Sequence, residues 1–508
     1  MRASLFAGLA ALAAVLMPVK GAQAADPPMA TIDAGVLQGV TADGIASFKG
    51  VPYAKPPVGV WRWRPPQRPE GWSGVRPADA YGALCMQPIV PQDNGVGPGP
   101  ASEDCLTLNV FTPKTATVAG PPLPVMVWIH GGGLINGSGT AALYDGTRLA
   151  RQGVVVVTIN YRLGRFGFFA HPALTAETPK TYLGNYGLMD QIAALQWVKR
   201  NITAFGGDPG NVTIFGESAG GYSVDRLMMI REARGLFHKA ISQSGGYIDP
   251  NLTLAAAEQQ GVAFAKTQGV ASNDPAALRA IPAAAIVAAG HYEPADWGAP
   301  ILDGRLLTED ARMGFGRGRA AKVPYLVGSN SLEFQTNPTS PRFKRVVKQD
   351  PETVAAMIAA YGSKEAFDLH APTDVGFAEP ARTLARDQAI SGPPTYLYRF
   401  AVLSAGAPAA FKGAPHASDR QYVFDTLSAS PWPTDARDAA LAKTISAYWV
   451  AFAKTGDPNG EGRPHWPAYD SRDQLMEFSN DGPAAKITPN AKVLDVIADS
   501  YRQTPAPR

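Results

Sequence analysis

Cysteine is nearly absent from this chain: among 508 residues only Cys85 and Cys105 carry a thiol. Two cysteines with no histidine nearby cannot supply the four ligands of a structural zinc site. In an exported chain an even pair reads as a disulfide, against the alternative of two buried thiols. Such a bond would close a loop of about 20 residues and contribute roughly 3 kcal/mol in the chain-entropy account. Long apolar runs are also missing beyond the first residues, so nothing downstream reads as a membrane span. Net charge is small, formally +3, and the arginines are scattered rather than striped. No nucleic acid and no anionic membrane is called for as a partner. Internal repeats and long low-complexity linkers are lacking too, which favours one domain over several.

At the start of the chain Arg2 precedes an apolar stretch from Leu5 to Met17, and Ala22-Gln23-Ala24 follows as a small-residue cleavage site. This pattern predicts a cleaved leader over 1–24 and an exported product, periplasmic or secreted, with no transmembrane anchor. Loss of Arg2 and Lys20 takes the formal charge from +3 to +1. The remaining 25–508 then form the single predicted domain.

Residues 31–48 read as a small antiparallel hairpin, with Ile32, Val36 and Val40 at strand positions and Asp43-Gly44 at a turn. A loop rich in proline and tryptophan follows, and Trp61, Trp63 and Trp72 are expected to pack rather than to hold a cofactor. Strands are predicted at 104–111, 124–129, 153–160, 212–215, 239–244, 323–328 and 395–402. Most are continuous apolar runs, as expected for strands covered on both faces. Leu188, Ile192, Leu195, Val198 and Ile202 recur at helical spacing, which predicts an amphipathic helix over 187–202. Further helices are predicted at 219–230 and 436–454, and an Ala-rich, largely helical stretch at 252–320 is expected to pack over the sheet. Buried strands alternating with helices imply an α/β fold, with a mostly parallel central sheet flanked by helices and a small N-terminal antiparallel sheet.

The most informative stretch runs from Asn211 to Gly221 (NVTIFGESAGG). It reads as a buried strand, a sharp turn at Ser218, and the start of a helix. The pattern G-x-S-x-G exposes a serine hydroxyl at such a corner. A serine is a poor nucleophile near neutral pH, so it needs a base, an acid to orient the base, and donors for the developing oxyanion. Gly131-Gly132-Gly133, after the apolar run 124–129, offers backbone donors together with the amide of Ala219. In the order nucleophile, acid, histidine, His416 is favoured over His130, His171, His238 and His291, with His465 and His370 still open. Glu333, just past the strand 323–328, and Asp303 compete for the acid. Glu217, beside the serine, would favour a protonated histidine, or is a buried structural carboxylate.

Two long motifs, Glu103-Asp104-Cys105-Leu106-Thr107-Leu108-Asn109-Val110 and Phe205-Gly206-Gly207-Asp208-Pro209 through to Gly220, resemble those of type B carboxylesterases. Gly184-Asn185-Tyr186-Gly187-Leu188-Met189-Asp190-Gln191 agrees with them. That family, which includes cholinesterases and bacterial secreted esterases, has the α/β-hydrolase fold, and the likeness covers most of 30–480. The resemblance implies ester hydrolysis with Ser218 as nucleophile, Glu333 as acid and His416 as base. It implies an oxyanion hole of Gly132, Gly133 and Ala219, a Cys85–Cys105 disulfide, a small-molecule ester substrate, and neither metal nor organic cofactor. Tyr292 and Trp297 fall where the family lines its pocket, and can be pocket or core. Two departures stand out: Phe334 and Ala417 follow the acid and the histidine where glycine is usual. The loop from Met86 to Asp104 has no aromatic residue to hold a choline cation, which disfavours choline esters. A lipase, an amidase and a non-catalytic adhesion protein on the same fold are the rival readings.

Overall fold

The apolar runs pair into one eleven-stranded sheet. A computed structural model describes residues 26–88, 94–117, 120–246, 252–271, 273–290, 300–336, 338–340, 343–344, 347 and 350–503. The predicted leader at 1–24, His291, Tyr292 and Trp297 lie outside the described residues. The main strands are β1 (Val40–Ala42), β2 (Ile45–Pro52), β3 (Thr107–Pro113), β4 (Leu123–Ile129), β5 (Val155–Ile159), β6 (Gly207–Glu217), β7 (Lys239–Gln243), β8 (Tyr325–Asn330), β9 (Thr395–Phe400), β10 (Gln474–Ser479) and β11 (Gly482–Ile487). Across the sheet they run β11-β10-β9-β8-β7-β6-β4-β5-β3-β2-β1.

From β5 to β10 every neighbouring pair is parallel, and the flanking strands are antiparallel. After β4 the chain adds β5 on one side and then crosses to place β6 on the other. The sheet therefore changes direction between β4 and β6, and the strand ends at such a switch point form a natural crevice.

The central strands bury alternate residues on opposite faces, as a period of two requires. Val125, Val127 and Ile129 of β4 join one core, and Met126 and Trp128 join the other. All five are fully buried, each aliphatic one contributing roughly 1.5–3 kcal/mol. Helices α1 (Tyr186–Asn201) and α2 (Ala219–Met229) cover the first face. The Ala-rich region supplies α3 (Leu254–Thr267) and shorter helical turns. Between β8 and β9 lie α4 (Pro351–Tyr361), α5 (Lys364–Thr373), a π-helical turn at Asp374–Ala378, and α6 (Glu379–Ile390). Helix α7 (Ala436–Thr455) covers the second face, and α8 (Ala491–Gln503) packs its Val493, Leu494 and Ile497 with Met357 and Phe367.

The sequence motifs have structural employment here. Asp190 of α1 pairs with Arg162 through two hydrogen bonds of 2.7 Å, with almost no exposure on either side. Glu103 pairs with Arg62, whose guanidinium also reaches the Ile281 carbonyl. Cys85 and Cys105 are joined as a disulfide.

At the N-terminus the expected hairpin is two hairpins. Met29–Ile32 pairs antiparallel with Gly35–Gln38, and Val75–Pro77 adds to the second strand in parallel. The Asp43-Gly44 turn instead joins β1 to β2 within the main sheet. Both of its residues have positive φ (50° and 79°), the conformation that matches strand twist in a tight hairpin. Trp63 is buried against Phe169, and Trp72 packs half-buried on the same core. Trp61 instead lies beneath the side chains of Lys55 and Arg64.

Candidate active site

Strand β6 ends at Glu217 and helix α2 begins at Ala219, so Ser218 alone forms the joint. Its backbone sits at φ 56°, ψ −123°, a conformation L residues rarely adopt. Such strain persists only where the surroundings over-determine it. Here the Ser218 amide donates to the Gln243 carbonyl (2.8 Å), and the Ser218 carbonyl accepts from Tyr222 N (2.8 Å). The corner also closes too tightly for side chains: a Cβ on Gly220 would stand 2.1 Å from the Ile129 carbonyl oxygen. That close approach is the physical content of G-x-S-x-G.

Each remaining part hangs from the end of a neighbouring strand. Gly131–Gly133 follow β4, Ser244 follows β7, Glu333 follows β8, and His416 sits in the loop after β9. His416 Nε2 lies 2.8 Å from Ser218 Oγ, and Nδ1 lies 2.6 Å from Glu333 Oε2. A carboxylate only accepts, so Nδ1 carries the proton and Nε2 is left to accept from the serine. Glu333 Oε1 accepts from Ser244 Oγ and from the Asn330 amide, both at 2.7 Å. The loops of Glu333 and His416 are stitched together by His416 N to the Glu333 carbonyl (2.8 Å) and Ala414 N to Ser331 Oγ (2.9 Å).

Charge around the ring is asymmetric. The buried Glu217 places Oε1 at 3.4 Å from His416 Nε2 and Oε2 at 3.9 Å from Arg420 Nε. Burial pushes the Glu217 carboxyl up to about 7, against the pull of His416 and Arg420. Burial of the His416 ring pulls the opposite way, but the Glu217 and Glu333 carboxylates outweigh it and the net shift is upward from 6.5. Phe334 and Phe377 flank the ring, with centroids 4.7 and 5.3 Å away. The first of these departures from glycine thus packs on the histidine, and the second, Ala417, takes up a left-handed φ of 66°.

The rival residues lie elsewhere. Asp303 is buried in a turn where it accepts from the amides of Leu306 (3.0 Å) and Leu307 (2.9 Å). His171 accepts from Ala173 N, His238 from Val212 N, His370 stacks on Tyr361, and His465 is exposed. His130 is buried and stacks on Tyr161. Ser244 and Asn330, which hold Glu333, were not singled out by sequence reasoning. Their one signal was position, at the C-terminal ends of β7 and β8. Among the described residues no three His, Cys, Asp or Glu side chains cluster where they could hold a metal ion.

A family model described as the carboxylesterase family matches residues 26–360 and 359–496. The chain belongs to the carboxylesterase family. It is 37% identical to para-nitrobenzyl esterase of Bacillus subtilis over 471 residues, covering 88% of this chain and 94% of that protein. It is 36% identical to fumonisin B1 esterase of Sphingopyxis macrogoltabida over 493 residues, covering 92% and 89%. A solved PNB esterase superposes with a TM-score of 0.81 at 34% identity, over 92% of this chain and 99% of that one. This carboxylesterase therefore has the α/β-hydrolase fold and is a carboxylic ester hydrolase acting on small-molecule esters.

Proposed function

We propose that Ser218, His416 and Glu333 are the catalytic triad of this esterase and that it works through an acyl-enzyme. The observation that carries the reading is the unbroken relay from Ser218 Oγ through His416 to Glu333, at 2.8 and 2.6 Å. His416 Nε2 takes the hydroxyl proton as Ser218 attacks the ester carbonyl. The amides of Gly132, Gly133 and Ala219 receive the oxyanion of the tetrahedral intermediate. His416 then gives the proton to the departing alcohol. In the second half-reaction the same nitrogen takes a proton from water, which attacks the acyl-enzyme and releases the acid. Glu333 holds the ring in its productive tautomer throughout, and Glu217 adds electrostatic support to the imidazolium.

The leader-like residues 1–24 and the disulfide support an exported enzyme, processed to a single domain over 25–508. Among the described residues no helix is long and apolar enough to cross a membrane. The substrates are small carboxylic esters, as the names of the relatives suggest. The test is hydrolysis of p-nitrophenyl acetate and butyrate by purified protein and by Ser218→Ala. Turnover is expected in the first and not in the second, and wild-type-like turnover by the variant rejects the mechanism. Extending the panel to long-chain acylglycerols separates an esterase from a lipase.

A further inference from the structure

Each of the three amides assigned to the oxyanion belongs to a peptide whose carbonyl is held from the opposite side. A trans peptide points its N–H and C=O in opposite directions, so fixing one aims the other. The Ser218 carbonyl, in the peptide that carries the Ala219 N–H, accepts from Tyr222 N at 2.8 Å. The Gly132 carbonyl, in the peptide of the Gly133 N–H, accepts from Ile135 N and Asn136 N at 3.0 and 3.1 Å. The Gly131 carbonyl, in the peptide of the Gly132 N–H, meets a side chain: His130 Nδ1, at 2.9 Å. A carbonyl only accepts, so Nδ1 is a protonated nitrogen of that ring.

The ring is held firmly. His130 is 1% exposed and stacks on Tyr161 with centroids 4.4 Å apart. The Tyr161 hydroxyl donates to the His130 carbonyl at 2.7 Å. Gly137 closes over the other side at φ 109°, where a Cβ would stand 2.4 Å from His130 Nδ1 and 2.5 Å from the Gly131 oxygen. Gly137 is itself gripped at both ends by one side-chain amide. Its N–H donates to Gln87 Oε1 (2.8 Å) and its carbonyl accepts from Gln87 Nε2 (3.0 Å). Gln87 Nε2 also donates to the carbonyl of the disulfide-bonded Cys85.

We infer that His130 is a positioning residue for ester hydrolysis: its Nδ1–H holds the Gly131 carbonyl and so aims the Gly132 N–H at the oxyanion, with the Gln87–Gly137 clamp keeping ring and carbonyl together. The inference rests on the oxyanion hole proposed above. A histidine that only fills space beside Tyr161 would affect stability, not the difference between ground state and transition state. An oxyanion donor acts on that difference, so misaiming it lowers kcat more than it changes KM.

The experiment compares His130→Asn, whose side-chain amide can stand in for Nδ1–H, with His130→Leu, which fills space without a donor. His130→Leu is expected to lose at least about 10-fold in kcat, toward the roughly 100-fold that accompanies loss of one oxyanion donor, with KM little changed. Its affinity for a trifluoromethyl ketone, whose adduct with Ser218 carries an oxyanion, falls in parallel. His130→Asn recovers most of both. Equal losses in the two variants, or wild-type kcat and ketone affinity in His130→Leu, overturn the inference. Should His130→Leu not fold, Gln87→Met removes the clamp at similar volume and carries the same expectation, and wild-type kcat in it overturns the inference equally. Ser218→Ala run alongside separates the levels. If it is inactive while His130→Leu and its ketone affinity are normal, only the role of His130 fails. If it turns over like wild type, the triad reading fails and takes this one with it.

Discussion

Glu217 Oε1 lies 3.4 Å from Nε2 of His416, the same ring nitrogen that meets the Ser218 hydroxyl at 2.8 Å. A carboxylate there attracts the ring once Nε2 is protonated, which is the state the proposed mechanism gives His416 after it takes the serine proton. The upward shift of His416 from 6.5 sets the expectation for wild type: the acid limb of kcat/KM is centred above 6.5. Glu217→Gln removes one of the two carboxylates behind that shift. The ring then loses its proton more easily, so the limb moves to lower pH while the plateau falls. Profiles of both proteins from about pH 5 to 9 check this, and a limb that stays in place rejects the electrostatic role.

The same side chain makes a separate prediction for stability. Burial raises the Glu217 carboxyl from 4.5 to about 7, so its folded-state pKa lies above its unfolded value. Between the two the folded state binds the extra proton, and this group's contribution falls as pH rises through that window. A shift of this size corresponds to about 3 kcal/mol. Glu217→Gln is expected to be more stable than wild type at about pH 8, by up to about 3 kcal/mol, and no more stable at about pH 4. Denaturant midpoints at the two pH values measure it.

The two candidate acids separate cleanly by variant. Glu333→Gln leaves a neutral group against Nδ1 and is expected to lose on the order of 1000-fold or more in kcat. Asp303→Asn weakens a turn that binds the Leu306 and Leu307 amides. It is expected to lower the melting temperature with kcat nearly intact. A large loss of kcat in Asp303→Asn and not in Glu333→Gln rejects Glu333.

Ala417 sits at φ 66° directly after the candidate base. An L residue there is less favourable by about 1–2 kcal/mol. Glycine relieves that strain but adds freedom to the unfolded chain worth about 0.4–1 kcal/mol. Ala417→Gly is therefore expected to stabilise by up to about 1 kcal/mol, and Ala417→Val to destabilise. Equilibrium unfolding of both variants tests the sign.

What was readable in the chain was whatever chemistry is local. The Ser218 elbow was legible because Gly216 and Gly220 flank the serine in sequence as well as in space. Strands β4 and β5 were legible because both of their faces are buried, which leaves continuous apolar runs. His416 and Glu333 were reached only by order along the chain and by resemblance, since nothing near either one marks its role. Ser244 and Asn330 were missed because their partner is a carboxylate on a loop brought to them by the sheet. Helix α4 was not predicted, although its ends are marked in the sequence: Asp350 caps its first turn, accepting from Thr353 N, and Gly362 closes it at φ 82°. Strand β11 was hidden for a different reason. It is the sheet's last strand, largely exposed, and so lacks the apolar pattern of its neighbours.

The candidate relay joins residues very far apart in sequence: 198 positions separate Ser218 from His416, and 83 separate Glu333 from His416. Contacts of that separation form only after long loops have closed, and sheets built from them fold slowly. A growing chain that has not yet delivered β9 and the loop after it holds a strained serine without its candidate base, His416. Ester hydrolysis would then switch on late and abruptly, which makes turnover a sensitive reporter of complete folding. A fragment ending before residue 416 should be silent even with its elbow fully formed.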